Sequence, residues 1–106
     1  MPVPRVQDEH LIQRLAHGLR NVERSLHPDV VRIRWSVGED WSGDSAIFFR
    51  VVLSDAASRR DDLAEFTGGI GGRIFADLRL AELEYIPYFN FRSDSEQKRL
   101  KDAEWD

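Results

Sequence analysis

Val31-Arg32-Ile33-Arg34-Trp35-Ser36-Val37, the linker Gly38 to Asp44, and Ala46-Ile47-Phe48-Phe49-Arg50-Val51-Val52-Leu53 together form the stretch that decides the fold. In the first part, apolar residues alternate with Arg32, Arg34 and Ser36, the period of two that belongs to a half-buried strand. The linker is mainly polar and contains Gly43, which suits a hairpin loop. The third part is a strand whose apolar run is interrupted by one charge, Arg50. These residues therefore predict two antiparallel strands joined by a loop.

Upstream, Leu11, Ile12, Leu15, Ala16, Leu19, Val22 and Leu26 recur at the i, i+3/i+4 spacing of an amphipathic helix. Asp8 is placed to cap it, and His27-Pro28 ends it because proline cannot continue the bonding. Downstream, Ser54-Asp55 opens a turn, and Ser58 with Asp61 resembles a capping box with a shorter acid. Leu63, Phe66, Ile70, Ile74 and Leu78 then keep helical spacing, interrupted by Gly68, Gly69, Gly71 and Gly72. Each glycine costs about 1 kcal/mol relative to alanine inside a helix, so a kink or short loop is predicted there, giving two helices. Tyr85 to Arg92 reads as a third strand, which Pro87 assigns to an edge or a bulge. The expected fold is α+β: a three-stranded sheet with helices on one face, in the order α-β-β-α-(Gly break)-α-β. Residues 1–92 would form the domain. Residues 93–106 would be a polar tail with a short helix capped by Ser93 or Asp94.

Composition narrows the function. A chain of 106 residues makes one domain with one modest core, so a partner subunit is plausible. It has no cysteine, hence no disulfide, thiolate metal site or cysteine nucleophile. The first residues lack the apolar run of a signal peptide, and no stretch approaches the roughly 20 apolar residues of a membrane span. A cytoplasmic protein without membrane attachment is expected. Asp40-x-Ser42-x-Asp44 begins like a calcium loop, but Ser45 stands where that loop needs glycine, so it reads as an acidic hairpin tip. His10, His17 and His27 have no carboxylate at metal-ligand spacing, and no serine sits in G-x-S-x-G or S-x-x-K. No catalytic residue, metal, cofactor or small-molecule substrate is expected.

Two features could bind a partner. If Ile33, Trp35, Phe49, Val51, Phe89 and Phe91 face the helices, the other sheet face presents Arg32, Arg34, Phe48, Arg50, Tyr88 and Arg92. Arginine and aromatic residues are enriched in protein contacts, which points to a homodimer or an adaptor or antitoxin-like partner subunit, with Trp105 as an anchor. The same mixture can stack bases and hold the phosphates of single-stranded RNA. Charge favours the first: the net charge is −4, and residues 35–66 hold seven acids against three arginines.

The second feature is Gly69-Ile70-Gly71-Gly72, a G-x-x-G followed by Arg73. With the element order over residues 8 to 92, it resembles the KH-type folds of bacteria, among them the ribosome-binding factor A and BolA families. That resemblance implies an RNA- or ribosome-binding factor in which Gly69, Ile70, Gly71 and Gly72 form a backbone cradle for nucleotides and Arg73 contacts a phosphate. RNA binding through this loop and the arginine/aromatic face stands as the alternative to a protein-interaction module.

Overall fold

Each apolar period becomes an element in the computed structural model, which describes residues 9–106. Helix α1 (Glu9–Ser25) buries Leu15, Leu19 and Val22, while the proposed cap Asp8 lies outside the described residues. Strands β1 (Val30–Glu39) and β2 (Ser45–Leu53) form the expected antiparallel hairpin. A short helix α2 (Asp55–Ser58) follows, then α3 (Leu63–Asp77), a single 3-10 turn at Leu80–Glu82, β3 (Ile86–Ser93), α4 (Asp94–Leu100) and a last 3-10 turn at Ala103–Trp105. The sheet order is β1-β2-β3, with β3 parallel to β2. No described helix is long and apolar enough to cross a membrane.

The fold is α+β, with α1 and α3 on the inner face of the sheet. Ile33, Val51 and Phe91 align there across the three strands, as do Trp35, Phe49 and Phe89. The core joins these rows to Leu15, Leu19 and Val22 of α1 and Ile70 and Ile74 of α3. β2 is buried almost end to end because it is the central strand. Helices α1 and α3 approach closely at Gly18, where a Cβ would stand 2.9 Å from Leu78 Cδ1.

Three local expectations are corrected. Helix α3 runs unbroken through Gly68, Gly69, Gly71 and Gly72. The glycine cost is offset by burying Ile70, Ile74 and Leu78, and only Gly71 lies at the helix–sheet contact, a Cβ there being 3.4 Å from the Phe89 ring. The break between helices falls earlier, between α2 and α3. The capping box also moves: Ser54 caps α2 by accepting from the Ala57 N–H, and the Ser58 hydroxyl donates back to the Ser54 and Asp55 carbonyls. Finally, residues 94–106 are part of the domain and lie on the outer face, so helical turns occupy both sides of the sheet. Ser93 caps α4 as expected, its Oγ accepting from the Glu96 N–H. Asp55 fastens the start of α4 by accepting from the Ser95 N–H and hydroxyl.

Candidate functional site

Strand pleating brings the expected arginine and aromatic residues together on the outer face. Arg32, Val52 and Arg92 form one row, Arg34, Arg50 and Asn90 the next, and Ser36, Phe48 and Tyr88 a third. Arg34 directly opposite Arg50 is a like-charged pair, which is unfavourable unless counter-charges reach it. The chain supplies a carboxylate for one and a backbone acceptor for the other. Arg50 Nη2 donates to Glu104 Oε2 at 2.8 Å, and Arg34 Nε donates to the Asp106 carbonyl at 3.0 Å. Arg32 Nε donates to the Trp105 carbonyl at 2.8 Å, with the Asp106 carboxylate 3.6 Å from its Nη2. Arg92 donates to Gln97 Oε1 at 2.7 Å and lies 4.1 Å over the centre of the Trp105 ring, a cation–π contact. Gln97 is buried and fully engaged, donating to the Asp102 carbonyl and Asp106 Oδ1.

The outer face is therefore not the open surface expected from the strands. Its arginine half is covered by residues 94–106, and Trp105, only 7% exposed, docks on its own domain. Phe48 and Tyr88 remain half-buried at the other end, stacked with ring centres 5.5 Å apart. There the Tyr88 hydroxyl donates to Asp40 Oδ2 at 2.8 Å, while Asp40 Oδ1 accepts from the Ser42 hydroxyl and the Ser42 and Asp44 N–H groups. These bonds, Tyr88 foremost, hold the Asp40 carboxyl at about 2 against an ordinary 3.8. The acidic loop is thus a self-bonded hairpin tip.

The glycine motif is also placed differently. Gly69, Ile70, Gly71 and Gly72 are helical, so they form no loop, and Arg73 pairs with Asp77 one turn along at 3.1 Å. Among the described residues, no group of acidic or histidine side chains is arranged to hold a metal ion.

What the strand pattern did not reveal lies on the inner face, at the β3 side. An apolar groove of about 510 Å³ runs between α3 and β3. One wall is Ala64, Gly68, Gly72 and Phe75, and the floor is Phe89 and Phe91 over Gly71 and Thr67. No charged side chain lines it. Phe75 is 40% exposed here, and a Cβ on Gly68 or Gly72 would meet nothing within 4 Å.

The groove borders a bare strand edge. The Ile33 N–H donates to Glu23 Oε2 at 2.8 Å and its carbonyl accepts from Arg34 Nη1, so Ile33 turns its backbone groups away from β2. Its partner Val51 must then turn its own toward β3, and Phe91, in register with Val51, must turn outward. By alternation, Pro87 and Phe89 also face outward. Among the described residues, no hydrogen bond closes this edge at Phe89 or Phe91. Pro87 had left an edge or a bulge open for this strand, and the strand is at the edge. Phe75, an aromatic off the row of Leu63, Phe66, Ile70, Ile74 and Leu78, was the signal in the sequence for the groove.

Comparison with known proteins supplies no relative: no protein-family model matches the chain, and neither a curated protein nor a solved structure matches it.

Proposed function

We propose that this chain is a small, non-enzymatic protein-interaction module that takes partners along the β3 edge and the adjoining α3/β3 groove. The observation that carries the reading is the coincidence of outward Phe89 and Phe91 backbone groups with an uncharged apolar groove beside them. An added strand would gain backbone hydrogen bonds from the edge and place alternate side chains against the groove. Such a surface supplies both terms of strand addition at one place. The outer face is the weaker docking surface, because its arginines already have partners within the chain.

The test is a selection of displayed peptides of about ten residues, enough to hold a typical strand of about five or six. Enriched peptides are expected to alternate apolar residues and to lose binding to Phe75→Asp, which puts a charge into the groove. Failure to enrich any peptide, or equal binding to Phe75→Asp, would sink the reading.

A further inference from the structure

We infer that the occupant of this edge is a second copy of the chain, paired β3 to β3 in the antiparallel sense about a two-fold axis at Phe89. The inference rests on the docking reading above and names its partner. Two three-stranded sheets then become one of six strands, with both α3 helices side by side on the inner face.

The backbone groups fit this arrangement. With the axis at Phe89, each Phe89 N–H meets the Phe89 carbonyl of the other copy, and each Phe91 N–H meets the Pro87 carbonyl of the other copy. Every outward N–H between residues 87 and 91 is thereby used. The missing N–H of Pro87 falls opposite the Phe91 carbonyl, so proline removes one donor without blocking the register. On the inner face, Phe89 lies beside its own copy and Phe91 beside Pro87, extending the stack in which Phe49 and Phe89 are 5.1 Å apart.

Charge allows self-association at this strip. The chain carries a net −4, yet Ala64, Thr67, Gly68, Gly71, Gly72 and Phe75 bring no like charges together. The antiparallel sense also sets the Ile86 end, near the acidic hairpin tip with Asp40 and Asp44, beside the Ser93 end of the other copy. From that end leaves α4, whose Asp94 and Glu96 are balanced by Lys98 and Arg99, so the two ends meet without a block of like charge.

Size places the pairing in the transient class. The eight residues of β3 span about 26 Å at roughly 3.3 Å each. A sheet layer with a helix layer about 10 Å away gives a strip of about 500 Å² per copy, or about 1,000 Å² in all, the lower limit for a specific pair. The dimer should therefore be a weak, concentration-dependent one.

Sedimentation equilibrium of the intact chain from about 1 to about 200 µM, a range suited to weak pairing, tests this. The mass should rise from 12.3 kDa toward twice that value. A synthetic peptide of residues 86–93 should push it back. Gly68→Lys, whose Cβ meets open space, should stay monomeric throughout with an unchanged or higher Tm, and Phe75→Asp should also stay monomeric. A dimer that persists in both variants would overturn the assignment. A wild-type monomer that still binds the selected peptides would overturn self-pairing and leave the docking reading standing; a monomer that binds none would end both.

Discussion

Along β1 the outward backbone groups of Ile33 are both taken, the N–H by Glu23 and the carbonyl by Arg34, whereas along β3 those of Phe89 and Phe91 meet no partner among the described residues. The surroundings differ in the same sense. Beside β1, Trp105 and Asp106 fold over Arg32 and Arg34. Beside β3 lies a groove walled by small residues and phenylalanines. An exposed strand edge invites pairing, and proteins ordinarily blunt it with charges, proline or a covering segment. Among the described residues, such closure is found at Ile33 of one edge, while the other edge carries Pro87. Chain-internal partners thus reach the β1 edge at Ile33 and, among the described residues, stop short of Phe89 and Phe91 on β3.

The closed side is broken most severely by Trp105→Ala. Removing a buried indole should cost about 3–5 kcal/mol, a large share of the roughly 5–15 kcal/mol by which a domain is stable. Urea denaturation measures it. A loss below about 1 kcal/mol would mean the C-terminal segment rests on the face without holding it.

Smaller, and confined to the β1 edge, is Glu23→Ala, which leaves the Ile33 N–H without its acceptor. About 1–2 kcal/mol should be lost, and the Ile33 amide should exchange faster with solvent. Glu23→Gln keeps an oxygen in place and should recover most of the loss. If Glu23→Gln behaves like Glu23→Ala, charge and not the edge hydrogen bond is what matters.

On the open side, Gly68→Ala in dilute protein should stabilise by about 1 kcal/mol, because its Cβ meets nothing and alanine is the better helix former. Gly71→Ala should gain less, since its Cβ must press on the Phe89 ring at 3.4 Å. Equal thermal shifts for the two would erase the distinction between the groove wall and its floor.

The smallest effect concerns the hairpin tip, which is solvated. Asp40 is held low in the folded chain, so its contribution to stability is present above its ordinary 3.8 and is lost as pH falls toward about 2. Tyr88 is held above its ordinary 10, chiefly by donating to Asp40, so its contribution is present below pH 10 and is lost as pH rises beyond that. Tyr88→Phe should move the Asp40 titration upward, read by carboxyl NMR shifts. An unmoved titration would show that the loop's own Ser42 and Asp44 bonds suffice.

Much of the architecture was legible in short-range patterns. The alternation in Val31–Val37 placed Arg32 and Arg34 opposite Ile33 and Trp35, and Pro87 marked an edge or a bulge, of which the edge is found. Leu63, Phe66, Ile70, Ile74 and Leu78 traced α3, but the glycines among them argued for a break that does not occur. Propensity counts the cost of each glycine locally, while the burial that offsets it comes from β2, β3 and α1.

The amino-acid order by itself determined the α+β class, the three strands and which side chains share a face, because strand pleat and helix turn impose periods of 2 and 3.6 that neighbours alone can satisfy. Only the tertiary structure decided which surfaces stay open. The bond from Arg32 to Trp105 joins residues 73 apart in sequence, and no local period encodes such a closure. The returning chain also brings the Glu104 carboxylate onto Arg50, the counter-charge that the opposed Arg34 and Arg50 require. Among the described residues, the same return covers Arg92 but leaves the outward edge of β3 at Phe89 and Phe91 open, and the candidate docking edge lies where the C-terminal segment does not reach.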